Sequence, residues 1–388
     1  MKIATRMDRL SPSITIAITT LAADLRKSGK DVLSFSAGEP DFGTPQVIKD
    51  AAIKALENDD TRYTAVEGTI ECREAIANKL KRDNNLDYDP SEIIVSVGAK
   101  HSLFNIFQAF IEEGDEVIIP APYWVTYPEL VRYSGGTVVE ITTNDDTNFK
   151  ITPAQLKDAI TSKTKILILT TPSNPTGSVY TKAELEAIAE VLKGTNITVI
   201  SDEMYEKLVY DGSDFTAVAS INEDMLNRTI TVNGLSKSVA MTGWRFGYLA
   251  TKNQDLLKAM KKLQSQSTSN INSITQAAAI VALSGDADKD IESMRVEFEK
   301  RRDLAIELLS DIDELSVVKP SGAFYLFVNI KKVSLDSMDF CTKLLEEVGV
   351  AVVPGVAFGL EGYFRMSFAT DETTIKDGIA RIKKFVEK

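Results

Sequence analysis

Lys237 stands between two serines in Gly234-Leu-Ser-Lys-Ser238, and Arg245 follows in Gly243-Trp-Arg-Phe-Gly247. A lysine in a turn is ordinarily a solvated surface residue. Here the neighbours suit other work. An amine able to lose its proton captures a carbonyl, and the Ser236 hydroxyl and the Arg245 fork are donors for a phosphate. Two earlier loops offer partners. Asp202 ends the apolar run 196–200 in Ser201-Asp-Glu-Met-Tyr205. Tyr205 lies three residues on, a spacing that predicts one helical turn with both side chains facing one point. Asn174 follows the run 165–170, in Thr171-Pro-Ser-Asn-Pro-Thr-Gly177, where flanking prolines restrict the backbone. Each loop alone has an ordinary structural reading. Three in succession, offering Asn, then Asp with Tyr, then Ser-Lys, are harder to read as coincidence.

What must position them is a sheet. From 92 to 255 short apolar runs alternate with helical segments: 93–97, 116–119, 137–141, 166–169, 198–200, 229–232 and 247–250. That alternation predicts a mostly parallel sheet covered by helices on both faces, with ligands gathered at the carboxyl ends of the strands. Residues 14–28, 45–57 and 69–83 read as helices, the last two amphipathic with charged outer faces. After Gly285 a long charged helix, 286–309, leads into a mixture of strands (323–329, 350–353, 363–368) and helices (338–348, 373–387). The expected organisation is therefore a large α/β domain over 45–285 and a smaller α+β domain over 286–388, joined by the N-terminal segment 1–44.

Composition narrows the chemistry. The 388 residues are 44% hydrophobic and 26% charged, enough for two domains with a substantial core. A net charge of −12 argues against nucleic acid as a partner, though a pocket can be locally positive. Cys72, Cys341 and the single His101 form no metal-ligand spacing, so no metal is expected. With one histidine, acid–base work falls to Lys, Tyr or carboxylates. The basic start, Met1 to Arg9, and the mildly apolar stretch 14–23 have the outline of a secretory signal. Thr15, Thr19 and Thr20 interrupt it and no cleavage pair follows. No apolar run approaches the roughly 20 residues of a membrane span. A cytoplasmic protein without membrane contact is expected.

Seven motifs carry a resemblance: Ser36-Ala-Gly-Glu-Pro-Asp-Phe42, Tyr63-Thr-Ala-Val-Glu-Gly68, Pro122-Tyr-Trp124, Pro172-Ser-Asn-Pro-Thr-Gly177, Ser201-Asp-Glu-Met-Tyr205, Gly234-Leu-Ser-Lys-Ser238 and Arg365-Met-Ser-Phe368. In this order, over nearly the whole chain, they resemble the class I aminotransferases, pyridoxal-phosphate (PLP) enzymes of fold type I, and within them the bacterial aspartate aminotransferase branch. The resemblance implies that Lys237 forms a Schiff base with PLP and later moves the substrate proton. It implies that Asp202 keeps the ring nitrogen protonated, and that Tyr205 and Asn174 bond the ring's 3′-oxygen. Gly98, Ala99 and Lys100, at a strand–helix junction, would hold the phosphate with Ser236 and Arg245. Trp124 would stack on the ring, and Tyr63 would reach the phosphate of a neighbouring subunit, making a homodimer with shared active sites.

Substrate residues follow from the same likeness. Arg365 sits in an apolar strand-like context where an unpaired guanidinium is costly. Its plain reading is a salt bridge, and the resemblance makes it the clamp for the substrate α-carboxylate. Gly38, Trp124 and Asn174 would line the substrate, and Thr15 with Lys100 would hold a distal carboxylate. The implied reaction is aspartate plus 2-oxoglutarate giving oxaloacetate plus glutamate, by a ping-pong route. Prephenate or aromatic amino acids are the alternative substrates, and a PLP β-lyase on the same fold is the alternative reaction. A PLP-fold binding module would need a DNA-binding domain for which the chain has neither length nor a basic region. Dinucleotide and P-loop glycine motifs are absent.

Overall fold

The computed structural model describes residues 3–388; Met1 and Lys2, the first two residues of the basic start, lie outside the described residues. Its strands are β1 (Leu33–Ser34), β2 (Ile93–Val97), β3 (Glu116–Ala121), β4 (Thr137–Thr142), β5 (Thr164–Thr170), β6 (Thr198–Asp202), β7 (Thr229–Gly234), β8 (Phe246–Thr251), β9 (Ser316–Val317), β10 (Tyr325–Asn329), β11 (Val350–Ala351), β12 (Val353–Pro354) and β13 (Tyr363–Ser367). All seven apolar runs of the 92–255 region are strands of one sheet, in the order β2-β8-β7-β6-β5-β3-β4. Near-continuous apolar runs suit strands buried on both faces, and every residue of β7 and β8 is buried.

Parallel pairing joins β4, β3, β5, β6 and β7, so their carboxyl ends share one edge. β8 runs against both β7 and β2. The connection 235–245 is short of the dozen or more residues a helical crossover needs, so the chain returns beside β7 in the opposite direction. Lys237 is carried in that short return.

Helix α1 (Ile14–Lys27) is N-capped by Ser13, whose hydroxyl accepts from the Ile16 amide. Its buried residues Ile18 and Ala22 pack with Leu345 and Ala351. Next come α2 (Gln46–Glu57), α3 (Ile70–Asn84), α4 (Ala99–Phe110) and α5 (Thr126–Ser134). β1 pairs in parallel with β11, so the N-terminal segment is hydrogen-bonded to the C-terminal part. The remaining sheet, β12-β13-β10-β9, is antiparallel. The predicted strand 350–353 is in fact two: Val352 separates a pair bonded to β1 from a pair bonded to β13. The long helix predicted from 286 spans Asp288–Ser310, and no helix among the described residues is long and apolar enough to cross a membrane.

Candidate active site

Three adjacent strands deliver the three loops to one cavity of about 380 Å³, at the carboxyl edge of the parallel strands. Asp202 is the last residue of β6 and is buried. Its Oδ2 accepts from the Tyr127 hydroxyl at 2.7 Å and its Oδ1 from the Met204 amide at 3.3 Å. Tyr205 reaches the same cavity by a tight turn, with Glu206 N bonded to Glu203 O, rather than by the helical turn its spacing predicts. Lys237 follows β7, and its Nζ donates to the Gly38 carbonyl. Asn174 follows β5; its Oδ1 accepts from Arg365 Nη1 at 2.9 Å.

Arg365 enters from the other sheet, in the middle of β13. Nη2 donates to the Ser36 carbonyl at 2.9 Å, and the guanidinium lies 4.3 Å from the Tyr325 ring centre and 5.1 Å from that of Phe358. Nε is buried without a partner, and among the described residues no carboxylate pairs with Arg365. The ordinary salt-bridge reading therefore does not apply. A planar cation held by two carbonyl acceptors and two aromatic faces is set for a carboxylate that the protein itself does not supply.

The cavity's electrostatics point the same way. In a chain of net charge −12, the basic and acidic side chains lining the cavity are four cations, Lys100, Lys237, Arg245 and Arg365, and one carboxylate, Asp202. Burial pulls the Lys237 ammonium down to about 8; Arg365 and Arg245 add repulsion and Glu39 opposes it. Asp202 is pushed up by burial, against the Tyr127 hydrogen bond and the charge of Lys237. Lys100 is lowered by desolvation and then by Arg245, and its Nζ stands 5.0 Å from the Trp124 ring centre. Burial also holds the Tyr205 phenol protonated, well above its ordinary value.

An anion cradle occupies one wall. Gly98, with φ +80°, is the residue before α4, and a Cβ there would lie 2.4 Å from Arg245 Nη2. A Cβ on Gly247 would lie 2.2 Å from the Ala99 amide nitrogen. Both glycines thus let the Arg245 fork and β8 close in on the first turn of a helix whose amide groups favour negative charge. Ser236 and Ala99 line the same cavity.

A family model described as aminotransferase class I and II matches residues 30–382. The chain belongs to this family. Among relatives of this aminotransferase are the aspartate aminotransferase of Bacillus subtilis (strain 168), 47% identical over all of both chains, and a probable aspartate/prephenate aminotransferase of Rickettsia conorii, 47% identical over 99% of this chain and 98% of its own. A solved structure of the Thermus thermophilus aspartate aminotransferase with maleate superposes with TM-score 0.95 and 41% identity, covering 99% of each chain.

The cofactor of this aminotransferase family is pyridoxal phosphate, and the residues present fit it. A phosphate suits the cradle of Ala99, Ser236 and Arg245, a pyridine nitrogen suits the buried Asp202 carboxylate, and an aldehyde suits a lysine whose amine is partly neutral near pH 8. Thr15, Gly38, Lys100, Trp124, Asn174, Tyr205 and Arg365 are brought to the same cavity. Tyr63 is not: it is 92% exposed and lies beside Asn270 and Ser273, in a separate surface depression. Sequence reasoning missed Tyr127, bonded to Asp202, and Tyr325, whose hydroxyl meets that of Tyr205 at 3.0 Å beneath Arg365. The only local signals were a tyrosine before Pro128, three residues after Trp124, and an aromatic pair opening β10.

Proposed function

We propose that this aminotransferase moves the amino group of aspartate to 2-oxoglutarate, releasing oxaloacetate and then glutamate in two half-reactions. The observation carrying this reading is the pair of cations Arg365 and Lys100. Both line one cavity, and neither has a carboxylate partner among the described residues. Two carboxylates on one substrate would meet both. That the Thermus relative is recorded with maleate, a dicarboxylate, supports the same reading.

Bound pyridoxal phosphate supplies a carbonyl and a ring that accepts the electron pair released at the substrate Cα. Ala99, Ser236 and Arg245 would hold the phosphate, and Trp124 would lie against the ring. Gly98, beside them, keeps the cradle open. Asp202 would hold a proton at the ring nitrogen. Tyr205 and Asn174 would donate to the ring's 3′-oxygen; with Asn174 Oδ1 committed to Arg365, its Nδ2 is left for that bond. Arg365 grips the α-carboxylate beside Gly38 and Asn174 and so fixes which face of Cα meets Lys237. The Lys237 amine, neutral when it acts, would take the proton from the substrate Cα and hold it for return. Lys100 and Thr15 hold the distal carboxylate.

The same proposal includes a large domain over 45–285, with 1–44 joining 286–388 in a small one; the β1–β11 pairing supports it. It also includes a homodimer. Tyr63, with Ile53, Leu56 and Ile70, is exposed on the segment from α2 to α3, as a residue reaching a partner's phosphate needs to be. Cytoplasmic residence is supported by two buried, unpaired thiols, Cys72 and Cys341. The test is a panel of half-reactions (aspartate, glutamate, phenylalanine, 2-oxoglutarate, prephenate) followed at the cofactor absorbance. Phenylalanine turning over with a kcat/KM equal to that of aspartate would remove the dicarboxylate assignment. Prephenate as the better acceptor would move this chain towards the second name its relatives carry.

A further inference from the structure

One buried polar contact in the cavity is made by a residue with no role so far. Tyr127, in the first turn of α5, is 1% exposed. Its hydroxyl stands 2.7 Å from Asp202 Oδ2 and 2.8 Å from Thr170 Oγ1. Thr170 and Asp202 are direct neighbours across β5 and β6, so the phenol bridges the ends of two strands. The ring meets Trp124 edge-on, with centres 5.5 Å apart at 89°, and the Tyr127 amide donates to the Trp124 carbonyl. Among the described residues Tyr127 supplies the only side-chain hydrogen bond to Asp202; the other donor is the Met204 amide at 3.3 Å.

We propose that Tyr127 is the positioning residue for Asp202: its hydroxyl, held between Thr170 and the carboxylate, sets both the direction of that carboxylate and its hunger for a proton. A carboxylate can only accept, so in the 2.7 Å contact the phenol donates. Donation to an ionised oxygen is among the stronger hydrogen bonds and favours the charged form. Burial works the other way on the same carboxyl. Without the phenol, Asp202 would be a stronger base, less able to leave a proton on a ring nitrogen, and freer to turn. The bridge to Thr170 matters because it fixes where the phenol can point. This inference rests on Asp202 facing the ring nitrogen, and the experiment keeps the two ideas apart.

Tyr127→Phe keeps the ring against Trp124 and removes the hydroxyl. In cofactor-free protein the Asp202 carboxyl is titrated by carbon-13 NMR, its signal identified by its loss in Asp202→Asn. The Phe variant should titrate at higher pH than the wild type. Its dissociation constant for pyridoxal phosphate should rise about two- to tenfold, because the freed carboxylate must then be ordered on binding. In the loaded enzyme kcat should fall while KM for aspartate holds. An unchanged titration and an unchanged dissociation constant would overturn the proposal. Should the Phe variant not fold, 3-fluorotyrosine at 127, a more acidic and stronger donor of nearly the same shape, should move the titration down; no movement overturns the proposal as surely. If instead Asp202→Asn leaves the nitrogen-15 signal of the bound ring unchanged, it is the reading of Asp202 that fails, while the titration still reports on Tyr127.

Discussion

Replacing Arg365 with lysine tests the substrate clamp most directly. The change keeps the positive charge and removes the fork. In the structure Nη1 and Nη2 are each bonded at 2.9 Å, to Asn174 and Ser36, and Nε is unpartnered. A carboxylate arriving at this guanidinium can take two parallel hydrogen bonds; an ammonium offers a point charge and one good bond. Losing one charge-assisted bond costs about 1.5–3 kcal/mol, which lowers kcat/KM for aspartate by roughly 10- to 150-fold. The variant also leaves the Asn174 or the Ser36 acceptor without its donor, which should lower stability by about 1–3 kcal/mol. Cofactor affinity should change far less, because Arg365 touches no group of the phosphate cradle and, of the groups assigned to the ring, bonds only Asn174, through the oxygen that the ring does not use. Single-turnover kinetics with aspartate, alongside a cofactor titration, separate these effects. A kcat/KM within threefold of wild type, or a loss of cofactor that matches the loss of rate, would refute the reasoning.

Three further outcomes follow from the same geometry. Capture of pyridoxal phosphate requires a neutral Lys237 amine, and burial sets that group at about 8. The association rate of cofactor-free protein should therefore climb as pH rises through about 8 and level off above it, and a flat profile would count against Lys237 as the capturing amine. Lys100→Ser should lower kcat/KM for aspartate and glutamate by about 10- to 100-fold, one charged contact's worth, and for phenylalanine much less; equal losses would defeat the assignment. Glu203, fully buried, has its carboxyl pushed up to about 8, by burial first and by Glu206 second. An unfolded glutamate titrates near 4.3, so between these values the unfolded chain gives up its proton while the folded one keeps it. Stability then falls as pH rises from about 4.3 to 8, by about 5 kcal/mol in total. Glu203→Gln, which keeps the bonds from Ser201 and Val218, should flatten that slope in urea denaturation at pH 5 and 8, and parallel wild-type and variant slopes would contradict this.

Much of this was legible in the sequence, and for identifiable reasons. Each central strand is a short apolar run closed by turn residues, so all seven could be found; their order could not, because no side chain in Phe246–Thr251 records that β8 runs backwards. The residues that their own loops bring to the cavity, Lys237, Asp202, Asn174 and Ser236, can be picked out from type and spacing. Those defined by long-range contact cannot. Tyr127 and Asp202 are 75 residues apart, and Tyr205 and Tyr325 are 120 apart. The run 350–353 looked like one strand because its residues are uniformly apolar; its division depends on partners at Leu33 and Arg365 that local pattern cannot reveal.

The return from β7 to β8 has a consequence for how this region can change. Gly234 and Gly247 are paired across the two strands, and Gly247 is pressed against the start of α4. Lys237 therefore hangs from a tether clamped at both ends, with no slack to take up an added residue or give up a lost one. Lengthening or shortening 235–245 would shift the amine relative to Asp202 even with every side chain retained. Variation here is confined to swapping residues at constant length, which makes this segment a poor place for a tag, a permuted terminus or a graft.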